Sequence, residues 1–150
     1  MNGAADESLF NVIRDGICQD IRCSLEKCGS RATLILILSG VDAMAWLDRP
    51  DNQGDVTRDD FASWANEFLS FESGTINGTE LYSARCAVLH SYGAASRLTR
   101  NGKARQIGFV RGYDKDRDVW QSDEVPNLVL VSVEGFANII LKGSYLFWES

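Results

Sequence analysis

The chain contains a single histidine, His90, five residues after Arg85 in the stretch "YSARCAVLHSYG", Tyr82–Gly93. An imidazole titrates near neutrality, so it can take a proton from a hydroxyl or return one to a leaving oxygen. A guanidinium is permanently charged and grips phosphate through two N–H groups at once. Acid–base chemistry at a phosphate is therefore what these two side chains suit. On an ideal helix they stand roughly 140° apart in rotation and about 7.5 Å apart in rise, so they do not share a narrow face. Arg85 falls in an apolar sector with Leu81, Val88, Leu89 and Tyr92, whereas His90 falls nearly opposite, closer to Ser83 and Cys86. An arginine in an apolar sector is costly unless its charge is paired. Asp42, the one acid in the apolar run "LILILSGVDAMAWL" (Leu34–Leu47), is the natural partner. The residues alone leave two roles open. One is a structural Asp42–Arg85 pair with His90 at the surface or capping a helix. The other is a site that handles phosphate and protons.

Charge distribution bears on the choice. The net charge of the 150 residues is −6, which by itself argues against a nucleic-acid binder. Yet Arg85, Arg97, Arg100, Lys103, Arg105 and Arg111 lie in one stretch of 27 residues without an acid, leaving −12 for the rest of the chain. A +6 island in an acidic protein is a candidate anion site, and the competing account is a solvated basic loop. If the island binds phosphates, Arg97, Arg100, Lys103 and Arg105 are the candidate contacts, with Tyr82, Ser83 and Tyr92 as polar helpers.

Other chemistries find little support. Cys18, Cys23, Cys28 and Cys86 lack CxxC spacing, and one histidine is too few for the usual zinc sets, so no metal is expected. "DKDRD" (Asp114–Asp118) imitates the start of a calcium loop but lacks the glycine at position six and has Val125 at position twelve. There is no phosphate-cradling glycine loop and no nucleophile elbow, and no cofactor is expected. The N-terminus lacks a basic region followed by an apolar one, and Leu34–Leu47 is short for a bilayer. The expectation is a cytoplasmic protein with reduced thiols and no membrane partner. In that setting the glycosylation sequon at Asn77 has no role.

The elements that must carry these residues are mostly helical. Leu9, Ile13, Ile17, Ile21 and Leu25 recur at helical spacing, with Asp6–Ser8 as a cap and Gly29 as a stop. "SRATLILILSGVDAMAWLDRP" predicts a central buried helix ending at Pro50, with a strand over Leu34–Leu38 as the alternative. Thr57 and Asp60 form a capping-box pattern ahead of an apolar face of Phe61, Trp64, Ala65 and Phe68. A fourth helix carries Leu81, Ala84, Val88 and Tyr92 on one stripe. After Gly93, "RQIGFVR" and "NLVLVSV" predict a small β-hairpin or sheet edge, and "EGFANIILKGSYLFW" a closing helix. The expected fold is mainly α, a bundle of four to five helices with a small β element in the C-terminal third. It is read as one domain, with a helical core over about residues 5–95, a basic loop and β element over about 96–133, and a closing helix over about 134–148.

An arginine followed after four residues by a histidine, late in a helix of a short helical domain, resembles the HEPN superfamily. The resemblance covers about residues 5–95 and rests on helix order and on "RCAVLH". Cys86 departs from the Asn, Asp or His common after the family's arginine. The resemblance implies an RNA-binding protein of toxin or defence type that acts as a metal-independent endoribonuclease and leaves a 2′,3′-cyclic phosphate. It assigns Arg85 to the phosphate and His90 to the protons. It also implies a homodimer whose two motifs line one cleft, and a cognate antitoxin or other protein partner. Phe68, Phe71 and Trp148 are the candidate apolar contacts of such a dimer. A non-catalytic module binding nucleotide, RNA or protein is the alternative.

Overall fold

The computed structural model describes residues 7–9, 11–72, 75–91, 93, 95–112 and 117–150. A π-helical segment, Val12–Cys18, runs directly into α1, Gln19–Lys27. Its wider turn changes which residues face inward. Ile13 and Cys18, five apart, are buried, while Ile17 is only half-buried, as i→i+5 winding requires. The regular helical spacing expected through Ile17 is therefore displaced by one residue. Cys18 then meets Ser144 at 3.3 Å.

α2, Ser30–Asp48, is the central helix. Leu34, Ile37, Leu38, Val41, Met44 and Ala45 are buried, and the helix ends two residues before Pro50. At 19 residues it is longer than the apolar run within it, and long and apolar enough by composition to cross a bilayer. Here its apolar side chains join the core cluster of the other helices. α3, Arg58–Phe68, opens on the Thr57–Asp60 capping box, with both reciprocal bonds present. α4, Gly78–Ser91, begins at Asn77, whose side chain accepts from the Glu80 amide at 2.9 Å while Glu80 accepts from the Asn77 amide at 3.1 Å. The short α5, Arg97–Arg100, follows.

The C-terminal third holds a three-stranded mixed sheet of β1, Gln106–Val110, β2, Val119–Gln121, and β3, Leu128–Ser132, in the order β1-β3-β2. β2 and β3 are antiparallel, with Val119 opposite Val131. β1 and β3 are parallel, with Gln106 opposite Leu128 and Val110 opposite Ser132. The two apolar runs read from the sequence are therefore parallel neighbours, and β2 forms the antiparallel pair. Chain after β3 passes at once into α6, Val133–Glu149, capped by Ser132. The stretch 127–140, ambiguous by pattern, is thus turn at Asn127, strand over Leu128–Ser132 and helix beyond. The fold is mainly helical with a small sheet, as expected.

One hydrophobic cluster joins helices and sheet. Trp64, Phe68 and Phe147 pack ring to ring, and Phe109 stacks on Phe136 with centroids 6.0 Å apart. Phe68 is buried, and Phe71 and Trp148 are half-buried against the core. These three do not form an outward apolar patch. Among the described residues the large apolar side chains that do face outward are Leu9, Val12, Trp46, Val125, Tyr145 and Leu146.

Candidate functional site

α4 and α2 together build the site. Arg85 lies on the side of α4 that faces α2, and its Nε donates to Asp42 Oδ2 at 2.9 Å. Both side chains are about one-fifth exposed, so the pair sits at the rim of the core with an opening to solvent. Burial alone lowers the Arg85 pKa, but the Asp42 carboxylate outweighs it and the guanidinium titrates above its ordinary value.

The same guanidinium reaches His90, with Nη1 3.3 Å from Nε2. Helix rotation alone places the two residues on different faces. Side-chain length and lean close the gap within one chain. Helical side chains tilt towards the N-terminus, so His90 leans back over the turn containing Cys86 and Arg85. A guanidinium can only donate, so in this contact Nε2 is the acceptor. His90 itself is exposed.

Tyr82, Cys86 and His90 are four residues apart and follow one stripe of α4. The Tyr82 ring stands 5.8 Å from Arg85 Cζ and meets Phe61 edge-on at 5.5 Å. Burial, followed by the neighbouring Cys86 thiol, raises the Tyr82 pKa. Tyr82 and Cys86 also line a cleft of about 510 Å³, whose other walls are Thr57, Arg58, Asp59, Ser96, Arg97 and Leu98. α5 is tied beside α4 by Ser83 Oγ and Ser96 Oγ, 2.6 Å apart and both buried.

The rest of the basic segment divides in two. Arg97, Arg100 and Lys103 are exposed. Arg105, expected as a phosphate contact, instead turns onto Glu80. Its Nε donates to Glu80 Oε1 at 2.5 Å, and its Nη2 to Oε2 at 3.0 Å and to the Thr75 carbonyl at 2.6 Å. Burial pushes Glu80 up, yet Arg105 and the Asn77 amide together hold it below the usual carboxylate range. Arg111 donates to the carbonyls of Leu25 and Cys28 at the end of α1 and lies 3.6 Å from Glu134. Tyr92 lies outside the described residues. No group of three or more His, Cys, Asp or Glu among the described residues is placed to hold a metal ion.

Glu80 and the cleft residues Thr57, Arg58, Asp59, Cys86, Ser96 and Leu98 were not singled out from sequence as site residues. Asn77-x-x-Glu80 and Ser96-x-x-Thr99 carry the spacing of helix caps, which could have marked where α4 and α5 begin. The cleft left no local signal, because it is assembled from three segments. No protein-family model, curated protein or solved structure matches the chain.

Proposed function

We propose that this is a HEPN-like RNA-binding protein that cleaves RNA at Arg85 and His90 without a metal. The observation that carries the reading is the 3.3 Å approach of Arg85 Nη1 to His90 Nε2, with Asp42 holding the other side of the guanidinium. A phosphate bound by Arg85 accepts the Nη1 hydrogen bond in place of His90 and frees the Nε2 lone pair. Nε2 then removes the proton from the ribose 2′-hydroxyl, and O2′ bonds to phosphorus. The bond from phosphorus to the 5′-oxygen breaks, and the imidazolium returns its proton to that oxygen. The products are a 2′,3′-cyclic phosphate and a 5′-hydroxyl, with no net change in protons. Arg85 stays charged throughout and balances the extra charge on the phosphorane oxygens. A homodimer would set two such sites in one assembly, and a cognate antitoxin or other protein partner belongs to the same reading.

The test is cleavage of a mixed RNA pool in the presence of chelator, with the product ends identified. Wild type should yield cyclic phosphate ends, and His90→Ala should lose a factor of about 10²–10⁴ in rate. Wild type that cuts nothing, or His90→Ala that cuts equally fast, overturns the catalytic reading. RNA binding without cleavage would favour the non-catalytic module.

A further inference from the structure

We infer that the cleft between α3, α4 and α5 is the subsite for the nucleotide adjacent to the scissile phosphate, taking its base on Tyr82 and Leu98 and its phosphate on Arg97 and Arg58. This assignment rests on the ribonuclease reading, which it extends to a second position on the substrate.

Size is the first argument. A cleft of about 510 Å³ falls in the range of small-molecule sites, roughly 300–1,000 Å³, which suits one nucleotide. Position is the second. Tyr82 and Cys86 are cleft wall, and His90 follows them one turn further along the same stripe of α4. A strand whose scissile phosphate lies at Arg85 and His90 therefore places its neighbouring nucleotide over the cleft. Chemistry is the third. The hydroxyl of Thr57 is committed to Asp60, and that of Ser96 to the amides of Leu98 and Thr99 and to Ser83. Of the other lining residues, Arg58 and Arg97 can meet an anion, Tyr82 and Leu98 offer apolar surface, and Asp59, paired with Arg58, and Cys86 complete the wall. Arg58 is shared with Asp59 at 3.1 Å, so Arg97, exposed and without an acid in its own segment, is the stronger phosphate contact. A π-face beside a guanidinium is the pairing that single-stranded nucleic acid exploits.

The probes are the four nucleoside 3′-monophosphates, with inorganic phosphate as the simple anion. Binding is measured by calorimetry and mapped by amide chemical shifts. At least one nucleotide should bind about tenfold more tightly than inorganic phosphate. Arg97→Ala should lose about tenfold, the order expected for one charge-assisted contact. Arg22→Ala, an equal charge change on the exposed side of α1, should lose nothing comparable. Shifts should centre on Thr57, Tyr82, Cys86 and Arg97. Arg97 is exposed, so its variant should keep the wild-type melting temperature. Nucleotide and inorganic phosphate binding equally, Arg97→Ala and Arg22→Ala behaving alike, or shifts centred elsewhere would each overturn the subsite. Because the readout is equilibrium binding, it decides this question whether or not the protein cleaves RNA.

Discussion

An arginine offers several N–H groups, and two of those of Arg85 meet different partners. Nε is held by Asp42, and Nη1 points at the His90 ring. Asp42 is therefore a positioning residue, because it fixes the angle at which the guanidinium faces the imidazole. Removing it frees Arg85 to rotate and leaves its charge without a near counterion. With both side chains about one-fifth exposed, Asp42→Ala should cost about 1–3 kcal/mol in stability, less than for a fully buried pair. Under the proposed ribonuclease reading, the rate of RNA cleavage per folded molecule should fall about tenfold or more. Asp42→Asn keeps a carbonyl oxygen for Nε and should recover much of that rate. If Asp42→Ala melts earlier but cleaves at the wild-type rate per folded molecule, Asp42 does not position Arg85.

At the scale of elements, the site depends on how closely α4 approaches α3. Gly78 permits that approach, since a Cβ there would lie 2.1 Å from the Ala62 carbonyl oxygen, against backbone that cannot easily yield. Its amide also donates to Asn66 Oδ1 at 2.6 Å, tying the two helices at this point. Gly78→Ala should push α4 outward and cost about 1–3 kcal/mol or more, measured by urea unfolding. Unchanged stability would mean the helices relax without cost. The helices themselves were legible because burial on one side of a helix leaves a periodic trace, as at Phe61, Trp64, Ala65 and Phe68. The π-helical turn was not, since Ile13, Ile17 and Ile21 fit ordinary helical spacing and nothing local selects Cys18 instead. Nor was the pairing of β1 with β3, because alternation shows that a segment is extended but not which strand lies beside it. The Asp42–Arg85 contact was readable from one acid and one base in otherwise apolar sectors. The cleft was not, since 57–59, 82–86 and 96–98 are brought together only by helix packing.

Across the whole molecule, the acid-free basic segment is partly neutralised by acids and carbonyls from elsewhere in the chain. Counting charges within a window sees six cations, but Arg85 faces Asp42, Arg105 faces Glu80, and Arg111 caps α1 beside Glu134. Arg97, Arg100 and Lys103 are exposed to solvent, and Arg111, although exposed as well, is engaged by Glu134 and the carbonyls of α1. If the chain binds RNA as proposed, single-stranded RNA should therefore release counterions from about three or four phosphates rather than six. At roughly 0.7 per phosphate, the slope of log affinity against log salt should lie near −2 to −3. Arg97→Ala or Arg100→Ala should make that slope shallower by about 0.7 each. Arg105→Ala should act differently. It leaves Glu80 buried without its cation and should cost about 2–3 kcal/mol of stability, moderated because Arg105 is itself one-third exposed. It should hardly change the salt slope measured well below its melting temperature. A loss of slope in Arg105→Ala equal to that in Arg97→Ala would mean that Arg105 leaves Glu80 to meet the RNA, and a wild-type slope near −4 would mean that Arg85, Arg105 and Arg111 all do so.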